Sequence, residues 1–459
     1  MRPALRRLAN IRGPHPFPLN IWSNAMATAL GLDFGTTNTV LAQLSQGSET
    51  RSVSFDSPAG TSDTMRTALS FTKDPKLGAS ALQVEAGSAA IRAFIDNPGE
   101  CRFLQSIKTF AASPLFQGTM VHARKFQFED LMEVFLKRLE HYAGDSWPSE
   151  ARRVVTGRPV HFAGSSPDAD LAMRRYSEAL TRLGFPELHY VYEPVAAAFY
   201  FAQNLDHDAT VLVADFGGGT SDFSLIRFET RAGRISAVPV GQSGVGIAGD
   251  QFDARMIEHL VAPEIGKGSQ FKSFGKRLDV PGSYYRNFSR WNQLSIFKTT
   301  KEYADLKALV RQAVEPDKLE LFIDLIEHDE GYQLHQAVSA TKMALSDADE
   351  AGFRFPALGK AGEKTVRRQD FESWIEADIA SITGALDDVL AKTGTEAAAV
   401  DKIFLTGGTS FVPAVRRIFS ERFAVDRIET GGELISIAHG LALIGERDDI
   451  EQWTVPADA

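Results

Sequence analysis

The residues best suited to chemistry in this chain are two aspartates that each end an apolar run and lead straight into a turn. Residues 211–222 read VLVADFGGGTSD, so Asp215 is followed by Phe216 and three consecutive glycines, Gly217, Gly218 and Gly219, before Thr220, Ser221 and Asp222. A glycine run breaks regular structure and allows a sharp turn. A second apolar run over residues 223–228 leads back, so the segment reads as a hairpin with a nearly bare tip. Successive N–H groups curled around one point at such a tip make a nest for an anion such as phosphate. A carboxylate beside that phosphate would be repelled, so Asp215 implies a hard divalent cation between them, most simply Mg²⁺ held partly through water. The plain alternative is a glycine hairpin that binds nothing, since glycine usually marks only a turn.

A second copy of the pattern argues against that alternative. Residues 30–40 read LGLDFGTTNTV: an apolar strand, then Asp33, Phe34 and Gly35, then Thr36, Thr37 and Asn38, then a return strand. Two hairpins with one chemistry, far apart in the chain, suggest an internal duplication with one hairpin per half. A third turn, Gly407-Gly408-Thr409-Ser410, follows the apolar run 403–406 and precedes a helix-like stretch from Phe411. That placement suits a ligand set against a helix N-terminus.

Together these motifs resemble the actin, hexokinase and heat-shock ATPase superfamily, and within it the heat shock protein 70 family of the DnaK type. Glu193-Pro194-Val195-Ala196-Ala197-Ala198-Phe199 is similar to that family's connecting segment, and the likeness runs from about residue 31 to about residue 445. The resemblance implies an α/β, two-lobed actin-like ATPase fold: duplicated ribonuclease H-like lobes with smaller side lobes and an ATP cleft between them. The expected divisions are a disordered extension over 1–26, lobe I over 27–207 with a side lobe at about 54–119, and lobe II over 208–428 with a side lobe at about 248–364. A helix within 429–450 is expected to return to lobe I.

The resemblance also distributes roles. Gly35, Thr36, Thr37 and Asn38 on one hairpin, and Gly217, Gly218, Gly219 and Thr220 on the other, would grip the phosphates of ATP or ADP. Asp33 and Asp215 would hold Mg²⁺ largely through water. Gly249 and Asp250 lie in a glycine-dense stretch, 241–253, expected to be a loop opening a helix over 251–261 near phosphates and ribose. Lys342 and Ser346, with Gly407, Gly408 and Thr409, would surround the adenosine. Lys108, in the context Phe103-Leu104-Gln105-Ser106-Ile107-Lys108, would join Glu193 and Asp215 in catalysis, orienting the attacking water and neutralising charge as the terminal bond breaks. The plain alternatives are a surface lysine for Lys108 and a helix-capping acid for Glu193. The chain departs from the family's adenosine pattern at Ser339, Met343 and Phe411, where a glutamate and two arginines are usual.

The elements that must position these residues can be read from periodicity. Helices are expected over 128–142 and 168–183, a strand over 153–162, a proline-started helix over 194–201, one long helix over 369–392 and a last one over 436–444. The aromatic cluster Tyr284, Tyr285, Phe288 and Trp291 reads as core in preference to partner surface. Residues 1–25 carry four arginines and no acid. They read as an organelle-targeting peptide or, more simply, as a start placed upstream of Met26.

Composition sets the bounds. A chain of 459 residues, 44% hydrophobic, can bury the cores of two or three domains. A net charge of −10 argues against a nucleic-acid partner. One cysteine, Cys101, excludes a disulfide framework or cysteine zinc cluster and fits a reducing cytoplasm. No apolar run approaches the roughly 18 residues a membrane-spanning helix needs. The expected protein is a monomeric, chaperone-like ATPase with an unidentified client, whose lobes open and close with nucleotide, and which has no peptide-binding domain in cis. A sugar-type kinase of the same fold and an actin-like filament remain as alternatives.

Overall fold

A computed structural model of the chain describes residues 27–45, 49–73, 81–97, 100–149, 151, 153–164, 166–202, 207–231, 234–289, 297–298, 300–328, 330–430 and 435–455. The expected extension over 1–26 and Trp291 of the aromatic cluster lie outside the described residues.

Strands and helices mix throughout, and two sheets dominate. In the first, the strands run Leu188–Tyr192, Arg153–Arg158, Ala27–Phe34, Asn38–Ser45 and Arg51–Ser52, with Met65–Arg66 also pairing to Asn38–Ser45. In the second they run Ile428–Thr430, Lys402–Thr406, Ala209–Phe216, Ser221–Arg231 and Arg234–Val245. The order is the same in both: a three-strand antiparallel meander whose first strand pairs in parallel with a later strand, which in turn pairs in parallel with one later still. Parallel central strands need both faces covered. Ala209–Phe216 accordingly buries every residue except Thr210, which is half-buried.

Helices supply that cover. Phe128–Ala143 starts on a capping box, in which the Gln127 N–H donates to Asp130 at 2.8 Å, and Ala169–Arg182 starts on Asp168, which accepts from the Leu171 N–H at 2.8 Å. Both pack on the outer face of the first sheet, where Leu30, Leu32, Phe34, Phe135 and Tyr176 share one core. The outer face of the second sheet packs on Gly249–Leu260, Glu376–Thr393 and Pro413–Ser420. Between the sheets lie two helices, Glu193–Ala202 and Ser436–Gly445, in a core that takes Val155 and Val191 from one sheet and Val211, Val213 and Phe404 from the other. They meet backbone to backbone, with the Ala196 carbonyl against Gly440. A Cβ on Gly31 would lie 2.6 Å from the Ala442 nitrogen. A small separate cluster stacks Phe94 on Phe103 at 5.0 Å and sets Tyr332 edge-on to both.

Several expectations need correction. The stretch 241–245 is strand, not loop: Gly244 pairs with Asp222 and Val245 with Ser221. Its glycines serve close approach, of Thr393 to Gly241 and of the Asp222 carboxylate to Gly244. The following helix starts at Gly249, two residues early. The strand expected over 153–162 stops at Arg158, because Pro159 has no N–H to donate to a ladder. The long helix expected over 369–392 is two, Arg368–Trp374 and Glu376–Thr393. The break turns Ile375 fully into the core, while Trp374 stacks on His259 at 4.6 Å. After Gly407 comes a tight turn, Gly408–Phe411, and the helix begins only at Pro413. Tyr284, Tyr285 and Phe288 are buried core, as their type suggests. No helix of the described residues is long and apolar enough to cross a membrane.

Candidate functional site

The two hairpin tips come together. Gly218 faces the first hairpin so closely that a Cβ there would lie 2.6 Å from Thr37 Oγ1, 3.5 Å from Thr36 Cβ and 3.2 Å from Asp250 Oδ1. Gly219 lies beside Thr36 and Thr109. The glycine tip is closed by its own bond, Gly217 N–H to the Thr220 carbonyl at 3.0 Å. The first tip is braced by Thr67, whose hydroxyl donates to the Gly35 carbonyl at 2.8 Å and whose N–H donates to the Thr37 carbonyl at 2.9 Å. Asn38 begins the return strand.

A third turn joins them. Gly407 has φ of 81°, a left-handed conformation that suits glycine, and there it packs directly on the Phe216 carbonyl. That close approach carries Thr409 to the glycine tip, where its hydroxyl donates to the Gly217 carbonyl at 3.0 Å. Gly408 faces open space. From the other side the Asp250 N–H donates to the Gly218 carbonyl at 2.8 Å, and Lys342 reaches the Gly249 carbonyl at 3.2 Å and Asp253 Oδ1 at 2.6 Å. Ser346 bonds back to its own helix, to the Lys342 carbonyl at 3.4 Å. Met343 is exposed, and Phe411 is partly so, with the Arg416 guanidinium 5.3 Å from its ring centre.

Beneath the tips lies a buried charge cluster. Lys108 is 8% exposed, not a surface lysine, and its ammonium donates to Glu193 Oε1 at 2.5 Å. Glu193 opens its helix but lies 4% exposed against Lys108, so it does more than cap. Burial pulls the Lys108 pKa down, but Glu193, with Tyr176 and Asp33, pushes it further up, so it stays charged. The aspartates respond in the opposite sense. Burial and Glu193 hold both Asp33 and Asp215 well above the usual carboxylate range, with Asp215 adding to the rise at Asp33 and Asp222 to that at Asp215, and Lys108 offsets this only in part. Asp222 sits directly opposite Asp215 in the hairpin register, and burial plus Glu193 push it up to about 7. One of its oxygens, Oδ2, is buried with no hydrogen-bond partner, while Oδ1 accepts from the His161 N–H at 3.2 Å. Asp250 is raised to about 6 by burial and Asp253. Four carboxylates around one ammonium leave this cluster short of positive charge. Among the described residues, no three His, Cys, Asp or Glu side chains converge closely enough to chelate a bare metal ion.

Some residues of this arrangement escape sequence reading. Asp253 and His335 face Lys342; burial lowers the His335 pKa to about 4. Their signal was spacing: Asp253 follows Asp250 by three on one helix, and His335 precedes Lys342 by seven on another, each pair on a shared face. Thr67 gives no signal at all, because its role comes from a strand register across the first hairpin.

Comparisons with known proteins agree on one likeness. The family model described as Hsp70 protein matches residues 107–272 and 306–446. The chaperone protein DnaK of Methanothermobacter thermautotrophicus is 23% identical over 429 residues, which cover 91% of this chain and 59% of that protein. The chain thus spans about 59% of the length of the curated relative it matches.

Proposed function

We propose that this chain, which belongs to the Hsp70 protein family, binds ATP with Mg²⁺ between two lobes built on its two like-ordered sheets and hydrolyses it with water as the acceptor. The observation that carries this reading is the meeting of the two hairpin tips, Gly218 against Thr37 and Thr36, over a cluster of buried carboxylates. Lobe I is taken as residues 27–207 and lobe II as 208–428, with the side lobes at the limits given above and the helix within 429–450 docked on lobe I.

In this reading the bare N–H groups of Gly217, Gly218 and Gly219 and the hydroxyls of Thr36, Thr37 and Thr220 hold the phosphates from opposite walls. The surplus carboxylate charge fits a divalent cation, and the lack of a tight three-ligand cage among the described residues fits Mg²⁺, which keeps several of its waters. Asp33 and Asp215 would hold it through those waters. Bound there, the ion would neutralise charge on the terminal phosphates. Lys108 and Glu193, already paired, would orient the attacking water, with Lys108 stabilising charge on the transferred phosphoryl group. Gly249, Asp250, Lys342, Ser346 and Thr409 lie toward the nucleoside. Hydrolysis would change the angle between the lobes, and an unidentified client protein would read that motion.

The test is direct. Calorimetry with ATP and magnesium should show binding, and purified chain should release phosphate from ATP with no added acceptor. No heat on mixing would remove the site. Release that requires a sugar would make the chain a kinase.

A further inference from the structure

The helix Ala169–Arg182 lies behind the turn that carries Lys108. Lys108 sits on a single tight turn, Ile107–Phe110. The carbonyls that follow it are only partly bonded within the loop, Phe110 accepting from the Ser113 N–H at 3.2 Å and Ser113 from the Phe116 N–H at 3.1 Å. Here they converge on one side chain. Arg175 Nη1 lies 2.9 Å from the Phe110 carbonyl, 2.8 Å from that of Ala111 and 3.2 Å from that of Ser113, and Nη2 lies 2.7 Å from the carbonyl of Phe116. The same helix start collects one more, the Asp168 N–H donating to the Ala112 carbonyl at 2.8 Å.

The other end of the turn is held as firmly. Ser106 is left-handed, with φ of 52°, a conformation a non-glycine residue keeps only when its surroundings impose it. Its N–H donates to the Thr67 carbonyl at 3.2 Å, and its carbonyl accepts from the Thr109 hydroxyl at 2.7 Å. Beside Arg175, the fully buried Tyr176 stacks on Phe128 at 5.7 Å and meets Phe34 edge-on at 5.9 Å, and Phe34 follows Asp33 in the chain. One helix therefore fixes both the turn that carries Lys108 and the strand end that carries Asp33.

We infer that Arg175 is a positioning residue for Lys108: its guanidinium gathers the carbonyls behind the turn and so fixes the ammonium against Glu193 at the scissile phosphate. This rests on the ATPase reading above. Several carbonyls at different angles match a planar fork with five donors, and an ammonium at the same point cannot reproduce that pattern. A shift of about 1 Å in a catalytic group is enough to cost on the order of a hundredfold in rate, so the backbone two residues beyond Lys108 is a sensitive place to anchor.

The experiment compares Arg175→Lys and Arg175→Ala with the parent in single-turnover ATP hydrolysis, ATP affinity and backbone amide exchange over residues 106–116 without nucleotide. Hydrolysis should fall about tenfold or more in Arg175→Ala and less in Arg175→Lys, which keeps the charge, while ATP affinity holds. Amide exchange should quicken in that segment. In a Lys108→Ala background, Arg175→Ala should add almost nothing. Independent, additive losses, or affinity falling in step with rate, would reduce Arg175 to a general structural role and overturn the inference. Unchanged exchange over 106–116 would overturn it whatever the rates. A parent chain that does not hydrolyse ATP would bring down both readings, whereas a hydrolysing parent with an undiminished Arg175→Ala would bring down this one alone.

Discussion

The two sheets have one strand order and opposite tips. The first hairpin turns through Gly35, Thr36 and Thr37 and so presents two threonine side chains; the second turns through Gly217, Gly218 and Gly219 and presents backbone. The difference is what lets them interlock, since Gly218 occupies the space that a second side-chain-bearing tip would need beside Thr37. The same contrast recurs one element later. In each sheet the last parallel strand is followed by a central helix. The first of these helices opens with Glu193, paired with the buried Lys108; its counterpart opens with Ser436, whose hydroxyl lies 3.3 Å from that of Thr406. Two copies of a scaffold have been differentiated so that one carries charge and reach while the other carries bare backbone.

The sharpest way to break this comparison is to treat the matched helix starts alike. Glu193→Gln or Lys108→Ala should slow single-turnover ATP hydrolysis on the order of a hundredfold, while Ser436→Ala should leave the rate alone and cost about 1 kcal/mol of stability at most. Equal losses would mean the halves are not specialised as described. A smaller effect tests the tips. Gly218→Ala forces a Cβ against Thr37 Oγ1, an overpacking of about 1–3 kcal/mol, and should weaken ATP binding about tenfold by calorimetry. Thr37→Ala should recover part of that loss in the double variant, and Gly217→Ala, whose Cβ has room at 3.6 Å from its nearest neighbour, should do much less.

The smallest effect concerns charge. Burial and Glu193 raise Asp222 from 3.8 to about 7 in the folded chain. Between those values the folded form keeps a proton that the unfolded form has released, so it binds more protons and its stability falls as pH rises through that window. Asp222→Asn removes that share. The nucleotide-free variant should therefore lose less melting temperature than the parent between about pH 4 and pH 7. Parallel curves would show that Asp222 does not hold its proton in the fold.

What the sequence discloses follows from the range of the forces involved. The aspartate-and-glycine bends are legible because their chemistry is local: an acid, a turn and a return strand within a dozen residues. Asp168 as a cap and Pro194 in a first turn are local too. The pairing of Lys108 with Glu193 joins the turn after an antiparallel strand to the helix after a distant parallel one, and Thr409 reaches Gly217 only because two distant strands pair in parallel, which no periodicity announces. Glycine misled at 241–245 for a physical reason, since the same lack of a side chain serves a turn or a close approach, and here Thr393 and Asp222 needed the space. The break at Ile375 is hidden because both halves of that stretch are good helix on their own.

The helix Ser436–Gly445 lies against the strands Ala27–Phe34 and Asn38–Ser45, with Ala438 and Ala442 over Val40, Ala42 and Leu44 of the second. In the order of synthesis that cover emerges roughly 400 residues after the strands it protects, which at about 5–20 residues per second amounts to tens of seconds. Until then a strip of oily surface on the growing polypeptide has no native lid. The opening portion of this molecule cannot be completed as it leaves the ribosome, and translation speed bears on its yield.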